Sequence, residues 1–453
     1  MKTDYIIVGD GSAGAVIASR LSENPNNSVI LIEAGGKGNS FLCRAPAGGL
    51  LMLRNKPCIN NWGFETVPQK GLNGRKGYQP RGKVLGGSST INAMLYLRGQ
   101  KEDYDNWAKK GNHGWSWEEV LPYFKKAENN VLGKSNFHGN EGPLHVSKQK
   151  VPRRISKAYI HACNNMQIKL KTDFNTGDNE GAGFWQSTIF HSEKKNGERC
   201  SSSAAYLSPI LDKRTNLKVI TNAHVTKILF QNKRAIGVSY YHNKINKKVY
   251  AGKEIIVCGG TFKSPQLLLL SGVGSRENIK KNGIKLIHEL PGVGKNLQDH
   301  IDFTLAYKTK DTDMLGINLG CSLKMLFELF KWFKHGNSMI ASTLSESGSF
   351  FKTDSKLCRP DVQNHFVIAL VDDHLRKLHW GYGYSCHVCV LRPYSRGEVY
   401  LNSPNPIDPP AIDPKFLNDE RDLKTLINGA KITQKILNTP PMLRYHRKEI
   451  FGI

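Results

Sequence analysis

The sequence predicts an α/β fold whose sheet begins at the amino terminus. Residues 5–8 form a short, nearly all-apolar run, which is typical of a central parallel strand buried on both faces. A glycine-rich turn follows at residues 9–14, a helical pattern at residues 15–22 and a second apolar run at residues 29–32. Strand, turn, helix and strand in this order indicate a Rossmann-like βαβ unit.

The turn GDGSAG has the spacing of a dinucleotide site. Gly9 permits a tight bend, Gly11 lets the backbone approach a pyrophosphate, and Gly14 lets the helix pack close to the strand. Backbone amides at the helix start supply an anion site. Glu33 ends the second apolar run 19 residues after Gly14, where a carboxylate accepts hydrogen bonds from a ribose diol. We therefore predict a bound dinucleotide, and this unit alone leaves NAD and FAD open.

One residue of the turn conflicts with a phosphate site. Asp10 places a carboxylate in a loop that has to receive phosphate, and this should weaken binding. We expect its side chain to point away from the phosphates or to be hydrogen-bonded within the protein.

Composition and cysteine usage limit the classes of protein to which the chain can belong. The chain has 453 residues, enough for two or three structural units, and 39% of them are hydrophobic, as in ordinary globular proteins. It contains no apolar run of the length that a bilayer span needs and no secretory signal, so we expect a cytoplasmic chain, with the inner face of the membrane as an alternative. Cys386 and Cys389 have CxxC spacing in a strand-like segment, which places their sulfurs on opposite faces and predicts no metal site.

The formal net charge of +26 raises the question of nucleic-acid binding. The lysines are spread along the chain rather than gathered in a tract, and the sequence contains no recognised nucleic-acid module. We therefore predict no nucleic-acid partner. A positive surface instead favours acidic partners or anionic lipid headgroups.

Two longer motifs resemble those of a known protein family, and this resemblance indicates which cofactor is bound. The first, residues 78–94, reads YQPRGKVLGGSSTINAM, and its paired glycines and hydroxyls open a helix where backbone amides can meet a cofactor or simply cap the helix. The second, residues 260–274, reads GTFKSPQLLLLSGVG. On these motifs the chain resembles the glucose-methanol-choline (GMC) family of FAD-dependent oxidoreductases, in the branch of bacterial alcohol dehydrogenases and choline dehydrogenase-like enzymes. The resemblance runs from residue 3 to about residue 416.

The resemblance implies both an architecture and a reaction. A discontinuous Rossmann-like FAD-binding domain is expected over residues 1–310, with an excursion near residues 142–193 that belongs to the substrate domain. An α+β substrate-binding domain based on an antiparallel sheet is expected at residues 311–394, and the start of the carboxyl-terminal oxidoreductase domain at residues 395–453. The implied reaction takes a primary aliphatic alcohol or choline to the aldehyde by hydride transfer to flavin N5, with a quinone or another carrier as electron acceptor.

Family positions that meet FAD carry over residue by residue. The resemblance implies that Gly9, Gly11, Ser12 and Gly14 contact the pyrophosphate of FAD and that Glu33 contacts the adenosine ribose. It implies contacts to the flavin from Val84, Gly87, Asn92, Ala93 and Met94. The backbone of Val225 is expected to contact the adenine. Some relatives bond the flavin covalently through a histidine at the position of Ile91, so FAD is expected to be non-covalent here. His374 and His379 match a region on the family's substrate side, and the alternative for each is a structural or surface role.

The carboxyl-terminal segment lacks the expected catalytic group. The family's histidine base would fall beyond Ile453, and His446 lies in a stretch, RYHRKE, that is typical of a solvated helix face. The sequence thus predicts a truncated enzyme of impaired activity. A catalytically inactive FAD-binding remnant or interaction protein, and an NAD-linked dehydrogenase, are the alternatives.

A helical stripe lies in the expected substrate domain. It consists of Leu323, Leu326, Phe330 and Phe333, is closed by Gly336, and has lysines among its members. Packing on the core of the domain is the favoured interpretation, and a peripheral membrane contact near a quinone pool is the alternative.

Overall fold

A computed structural model describes residues 1–54 and 58–452 of the chain. Its strands, in chain order, are β1 (Lys2–Val8), β2 (Val29–Ile32), β3 (Phe64–Glu65), β4 (Tyr78–Gln79), β5 (Leu95–Tyr96), β6 (Glu128–Asn130), β7 (Leu144–Val146), β8 (Gly181–Phe184), β9 (Gln186–Ser187), β10 (Leu217–Ile220), β11 (Ala223–Gln231), β12 (Arg234–His242), β13 (Ile245–Val257), β14 (Val273–Gly274), β15 (His288–Glu289), β16 (Lys295–Leu297), β17 (Asp302–Thr309), β18 (Gly316–Ile317), β19 (Ser345–Phe351), β20 (Val362–Val367), β21 (Gly381–Val390), β22 (Gly397–Tyr400), β23 (Ala411–Asp413) and β24 (Lys448–Phe451).

The α-helices are fewer and several are short. In chain order they are α1 (Ser12–Leu21), α2 (Phe41–Arg44), α3 (Gly49–Met52), α4 (Lys101–Lys109), α5 (Trp117–Ala127), α6 (Arg154–Asn165), α7 (Gly260–Leu270), α8 (Arg276–Lys281), α9 (Leu319–His335), α10 (Glu420–Leu437) and α11 (Pro440–Leu443).

The first large sheet has the strand order β10-β2-β1-β13-β12-β11. β10, β2, β1 and β13 are parallel neighbours, and β12 and β11 continue the sheet as antiparallel hairpins. Ile6 and Ile7 on β1 and Leu31 on β2 are fully buried, as the apolar runs require. The predicted βαβ unit and the α/β fold class are therefore confirmed.

The second large sheet is antiparallel, with the order β24-β17-β21-β20-β19-β8, and β18 also pairs with β21. One of its faces packs against α6, α10 and α11 over a core that includes Tyr159, Phe366, Tyr384 and Ile436. β8 comes from the predicted excursion near residues 142–193 and joins the strands that follow residue 300. This arrangement confirms the antiparallel sheet of the second unit, while the predicted domain bounds stay a prediction.

The carboxyl-terminal residues are integral to the second sheet. Ile436, Met442 and Tyr445 belong to its core, and β24 pairs with β17. His446 follows α11 in a turn, and its ring stacks on Tyr307 with the centroids 4.3 Å apart. The expectation of a solvated helix face at His446 is therefore wrong, because the turn folds the imidazole back onto β17.

The predicted helical stripe is the other element that differs from expectation. α9 forms as predicted and ends at Gly336, which adopts a left-handed conformation with φ of 70°. Leu323, Leu326, Phe330 and Phe333 nevertheless lie on its exposed face. The stripe does not pack on the core, because the opposite face of the helix, which carries Trp332, packs there instead.

Candidate active site

A cleft of about 510 Å³ opens where β1 and β2 end. The turn after β1, the end of β2, the start of β11 and the turn after β13 form its walls, together with Arg81, Gly82, Gly87 and Ser88. Ligands of open α/β sheets bind at the carboxyl ends of the parallel strands, so the cleft lies where the fold predicts a site. Among the predicted cofactor residues, six line it: Gly9, Gly11, Ser12, Glu33, Gly87 and Val225.

Glycine is required in the turn by close backbone approach. Gly9 has φ of 95°, and a Cβ there would lie 2.7 Å from the carbonyl oxygen of Cys258. Gly14 lies behind the turn, where a Cβ would come within 2.0 Å of the Gly9 oxygen. α1 begins at Ser12 beside the cleft, and the first amides of a helix have no intrahelical acceptor. Together with the helix dipole, they make this corner suitable for a phosphate.

Glu33 is held in place by two backbone amides. Its Oε2 accepts a hydrogen bond from the Asp10 N–H at 2.8 Å, and its Oε1 accepts one from the Gly35 N–H at 2.7 Å. Burial raises the pKa of Glu33, although both N–H groups favour the charged form. Each carboxylate oxygen keeps a second acceptor site, so Glu33 can still receive the hydroxyl groups of a ribose.

Asp10 is fully buried and does not line the cleft. Its Oδ2 accepts a hydrogen bond from the Gly86 N–H at 3.0 Å. Burial, reinforced by the nearby charge of Glu33, raises the pKa of Asp10 well above its usual range. Burial thus favours the neutral form of the carboxyl group. As expected from the sequence, the side chain is hydrogen-bonded within the protein and lies outside the cleft, so it does not conflict with a phosphate there.

The loop that contains residues 84–94 lies against the first turn. A Cβ on Gly87, whose φ is 53°, would come within 2.7 Å of the Gly11 Cα. Val84 and Met94 are buried outside the cleft, whereas Asn92 and Ala93 are exposed. A flavin contact for these four residues stays a prediction.

Arg199 holds this loop, and the sequence reasoning did not assign it a role. It is buried, and its guanidinium donates hydrogen bonds to the Asn92 backbone oxygen at 2.6 Å and side-chain oxygen at 3.0 Å, and to the Pro46 oxygen at 3.2 Å. Burial lowers the pKa of Arg199 to about 10, so it stays charged at pH 7. A buried charge with backbone acceptors is a tertiary feature, which no local sequence pattern predicts.

The cleft also contains basic and aromatic side chains. The Nζ atoms of Lys83 and Lys263 lie 4.6 and 4.7 Å from the centroid of the Trp62 ring. Arg81 and Lys263 donate hydrogen bonds only to neutral oxygens within the described part of the chain. Burial and the charge of Lys83 lower the pKa of Lys263 to about 8. Within the described residues neither Arg81 nor Lys263 forms a salt bridge, so their charge is available to the pyrophosphate of a dinucleotide such as FAD.

A second polar group lies on the second sheet, on the face opposite its core. Thr304, His365 and His387 stand directly across from one another on β17, β20 and β21. The Nδ1 atom of His387 lies 2.7 Å from Oδ2 of Asp302 and 3.1 Å from the Thr304 hydroxyl. Burial and the neighbouring His387 lower the pKa of His365 to about 4, so His365 is neutral at pH 7. The sequence reasoning missed this group.

The two predicted substrate-side histidines differ in their surroundings. His374 is exposed, lies in a left-handed turn with φ of 54°, and meets the ring of Tyr78 edge-on at 5.6 Å. His379 hydrogen-bonds Asp372 through Nε2 at 2.9 Å, which ties the ends of its own loop together. The structure thus brings His374 to the loop that also carries Arg81 of the cleft, and gives His379 a structural partner. Substrate contact by either stays a prediction.

Two family models match the chain. Both are described as GMC oxidoreductase; the amino-terminal one matches residues 3–302 and the carboxyl-terminal one residues 393–451. The predicted truncation and impairment are not supported, because the carboxyl-terminal model matches the segment in which the sequence reasoning found no likeness beyond about residue 416. That segment is also folded, as the packing of α10, α11 and β24 shows.

Similar proteins include enzymes that act on alcohols. The chain is 43% identical to "Alcohol dehydrogenase [acceptor]" of Pseudomonas putida, over 99% of this chain and 80% of that protein. It is 38% identical to mitochondrial choline dehydrogenase of Homo sapiens, over 98% of this chain and 75% of that protein.

Solved structures have the same fold. An FAD-dependent oxidoreductase from Chaetomium thermophilum superposes with a TM-score of 0.85 at 28% identity, over 99% of this chain and 85% of that one. A formate oxidase superposes with a TM-score of 0.90 over 100% of this chain and 84% of that one; at 23% identity it shows the fold alone.

Proposed function

Since the chain belongs to the GMC oxidoreductase family, we propose that it oxidises a primary aliphatic alcohol or choline to the aldehyde and passes the electrons to a quinone or another carrier. It is an FAD-dependent oxidoreductase that acts on CH–OH donors. An NAD-linked dehydrogenase is therefore not supported. The observation that carries the proposal is a histidine–aspartate pair, His387 and Asp302, on the face of the second sheet opposite its apolar core.

The loop at residues 78–82 connects the two parts of the site. Arg81 lines the cleft, while Gln79 donates a hydrogen bond to Asp299, just before β17, at 3.1 Å. The guanidinium of Arg376, in the same loop as His374, lies 4.5 Å from the centroid of the Tyr78 ring. A substrate between the two sheets would contact both the cofactor side and the His387 side.

FAD, when bound, supplies the hydride acceptor. The chain's own residues would bind and orient it: the turn at Gly9 and Gly11 would admit the pyrophosphate, Arg81 and Lys263 would balance its charge, and Glu33 would accept hydrogen bonds from the ribose. Ile91 is buried and offers no nucleophile to the flavin, which supports non-covalent binding. A flavin that stays with the protein after acid precipitation would contradict this part of the proposal.

The hydroxyl proton of the alcohol needs an acceptor while the hydride leaves carbon. In the tautomer in which the Nδ1–H of His387 donates a hydrogen bond to Asp302, Nε2 carries no proton, and within the described residues Nε2 has no hydrogen-bond partner. An imidazole oriented by a carboxylate in this way is suited to act as a general base. His387 is our candidate for the group that takes the proton, and Asp302 then stabilises the imidazolium.

Steady-state turnover with an artificial electron acceptor tests the proposal. We expect aldehyde to form from a medium-chain primary alcohol or from choline, and the preferred substrate to be identified by kcat/KM. The Pseudomonas putida relative is named for an acceptor, which supports an electron carrier as the oxidant in this assay. A flavin-loaded protein that forms no aldehyde from either substrate would refute the proposal.

A further inference from the structure

α9 presents apolar side chains on two opposite faces. On one face, Cys321, Met325 and Trp332 pack on the chain, and the Trp332 indole donates a hydrogen bond to the Gly197 oxygen at 2.8 Å. This face attaches the helix to the protein. The helix is therefore fixed in place without any use of its other apolar face.

The opposite face is a continuous apolar stripe in solvent. Its six large side chains are between 52% and 79% exposed: Leu319, Leu323, Leu326, Phe327, Phe330 and Phe333. At 3.6 residues per turn these positions fall on one side of the helix, which is about 25 Å long. Soluble monomers rarely expose contiguous apolar patches of this kind, and such patches mark interaction sites.

The stripe continues onto neighbouring segments at both ends. The ring of Phe41 stacks on that of Phe333 with the centroids 5.6 Å apart. At the other end, β18 pairs with β21, which places Trp380, 73% exposed, beside the start of α9. Trp380 belongs to the loop that also carries His374. The apolar surface thus runs along the whole helix to the loop that carries Trp380 and His374.

Charges around the stripe indicate what covers it. Lys331, Lys334 and His335 are exposed on α9. The one acidic residue of the helix, Glu328, accepts a hydrogen bond from the Met339 N–H at 2.5 Å and so faces the protein. The chain as a whole carries a formal charge of +26. A second copy would bring the same lysines to the contact, whereas an anionic surface complements them.

We propose that α9 lies in the plane of an anionic lipid bilayer, with its Leu and Phe stripe among the acyl chains and its lysines at the headgroups. A large apolar face, a basic flank and a helix that does not span are the features of an interfacial helix. No helix within residues 1–54 and 58–452 has both the length and the apolarity to cross a membrane. The inference rests on α9 and its neighbours alone and does not depend on the oxidation proposed above.

Vesicle co-sedimentation of the FAD-loaded full chain tests this inference. The probes are phosphatidylcholine vesicles with and without phosphatidylglycerol, and the test variant is Phe327→Glu combined with Phe330→Glu. The matched control carries the same change at two exposed apolar residues elsewhere, Tyr123→Glu with Ile245→Glu. Flavin absorbance shows that each protein is folded.

The wild-type chain and the control should bind the anionic vesicles. The α9 variant should bind them more weakly, by about tenfold or a larger factor. Lys331→Gln with Lys334→Gln should reduce the preference for anionic over neutral vesicles. Equal binding by the α9 variant and the wild type would overturn the proposal. The proposal would also be overturned if the wild-type chain did not bind vesicles and light scattering showed that it forms an oligomer that the α9 variant does not form.

Discussion

The Nδ1 atom of His387 on β21 lies 2.7 Å from Oδ2 of Asp302 on β17. The two residues are 85 positions apart in the chain and meet only because the two strands are antiparallel neighbours. The pair lies on the polar face of the second sheet, opposite a closely packed apolar core. The sheet and its packed core therefore give the pair a rigid support.

His387→Gln should lower the rate of flavin reduction by alcohol by about 10²–10⁴-fold, because general-base assistance contributes about that much. FAD content should stay at the wild-type level, since His387 does not line the cleft. His161→Gln is the matched control, because His161 is exposed on α6, which packs on the opposite face of the same sheet. Stopped-flow measurement of flavin reduction compares them, and a His387→Gln enzyme as fast as the control would exclude His387 as the base.

Glu33→Gln should weaken FAD binding by about 10–100-fold. The glutamine amide cannot accept hydrogen bonds at both of its ends, so one of the N–H groups of Asp10 and Gly35 loses its partner, and a charge-assisted bond to the ribose is lost as well. Titration of the apoprotein with FAD, followed by flavin fluorescence, gives Kd. Glu277→Gln, at an exposed position of α8, should bind as the wild type does, and equal weakening in both variants would show a general loss of stability.

Asp10→Asn should bind FAD within about threefold of the wild type at pH 7, because Asp10 lies outside the cleft and its raised pKa favours the neutral carboxyl group, which asparagine resembles. The asparagine oxygen can still accept the Gly86 N–H. As the pH rises, the wild-type carboxyl ionises near the phosphates and its Kd should increase, whereas that of the variant should stay flat. A variant that loses FAD affinity more than tenfold at pH 7 would show that the native group is charged.

His138 should make stability depend on pH. It is buried between Glu128 and Asp173, at 3.0 and 2.8 Å; burial alone would lower its pKa, but the hydrogen bonds to these two carboxylates raise it to about 9. The stabilisation is complete below the unfolded-state pKa near 6.5 and is lost as the pH rises to about 9, since the native state then binds the extra proton. It amounts to roughly 3 kcal/mol.

Urea unfolding of the wild type and of His138→Gln at several values between pH 6 and pH 9 measures this contribution. The difference between the two free energies of unfolding should be largest at the acid end and shrink toward pH 9. A difference that stays constant over the range would mean that His138 is neutral in the native state.

The sequence predicts those parts of the site whose geometry is local. The turn at Gly9 and Gly11 and the acid at Glu33 lie within one βαβ unit, so spacing alone brings them together, and the structure places all three at one cleft. The burial of Asp10, which raises its pKa, was not predictable, because it depends on the distant loop at Gly86.

Two further features depend on tertiary structure. The His387–Asp302 pair requires the register of two strands, which no local pattern encodes. For α9, the periodicity shows that Leu326 and Phe330 share a face, but Met325 and Trp332 form a second apolar face, and only the fold decides which of the two is covered.

The absorption spectrum of the flavin before and after anaerobic addition of a medium-chain primary alcohol, and separately of choline, tests the central claim most directly. We predict a bound flavin whose visible band bleaches with at least one of the two, and bleaches far more slowly in His387→Gln. A chain that holds FAD but never bleaches with either alcohol would contradict the proposed oxidation.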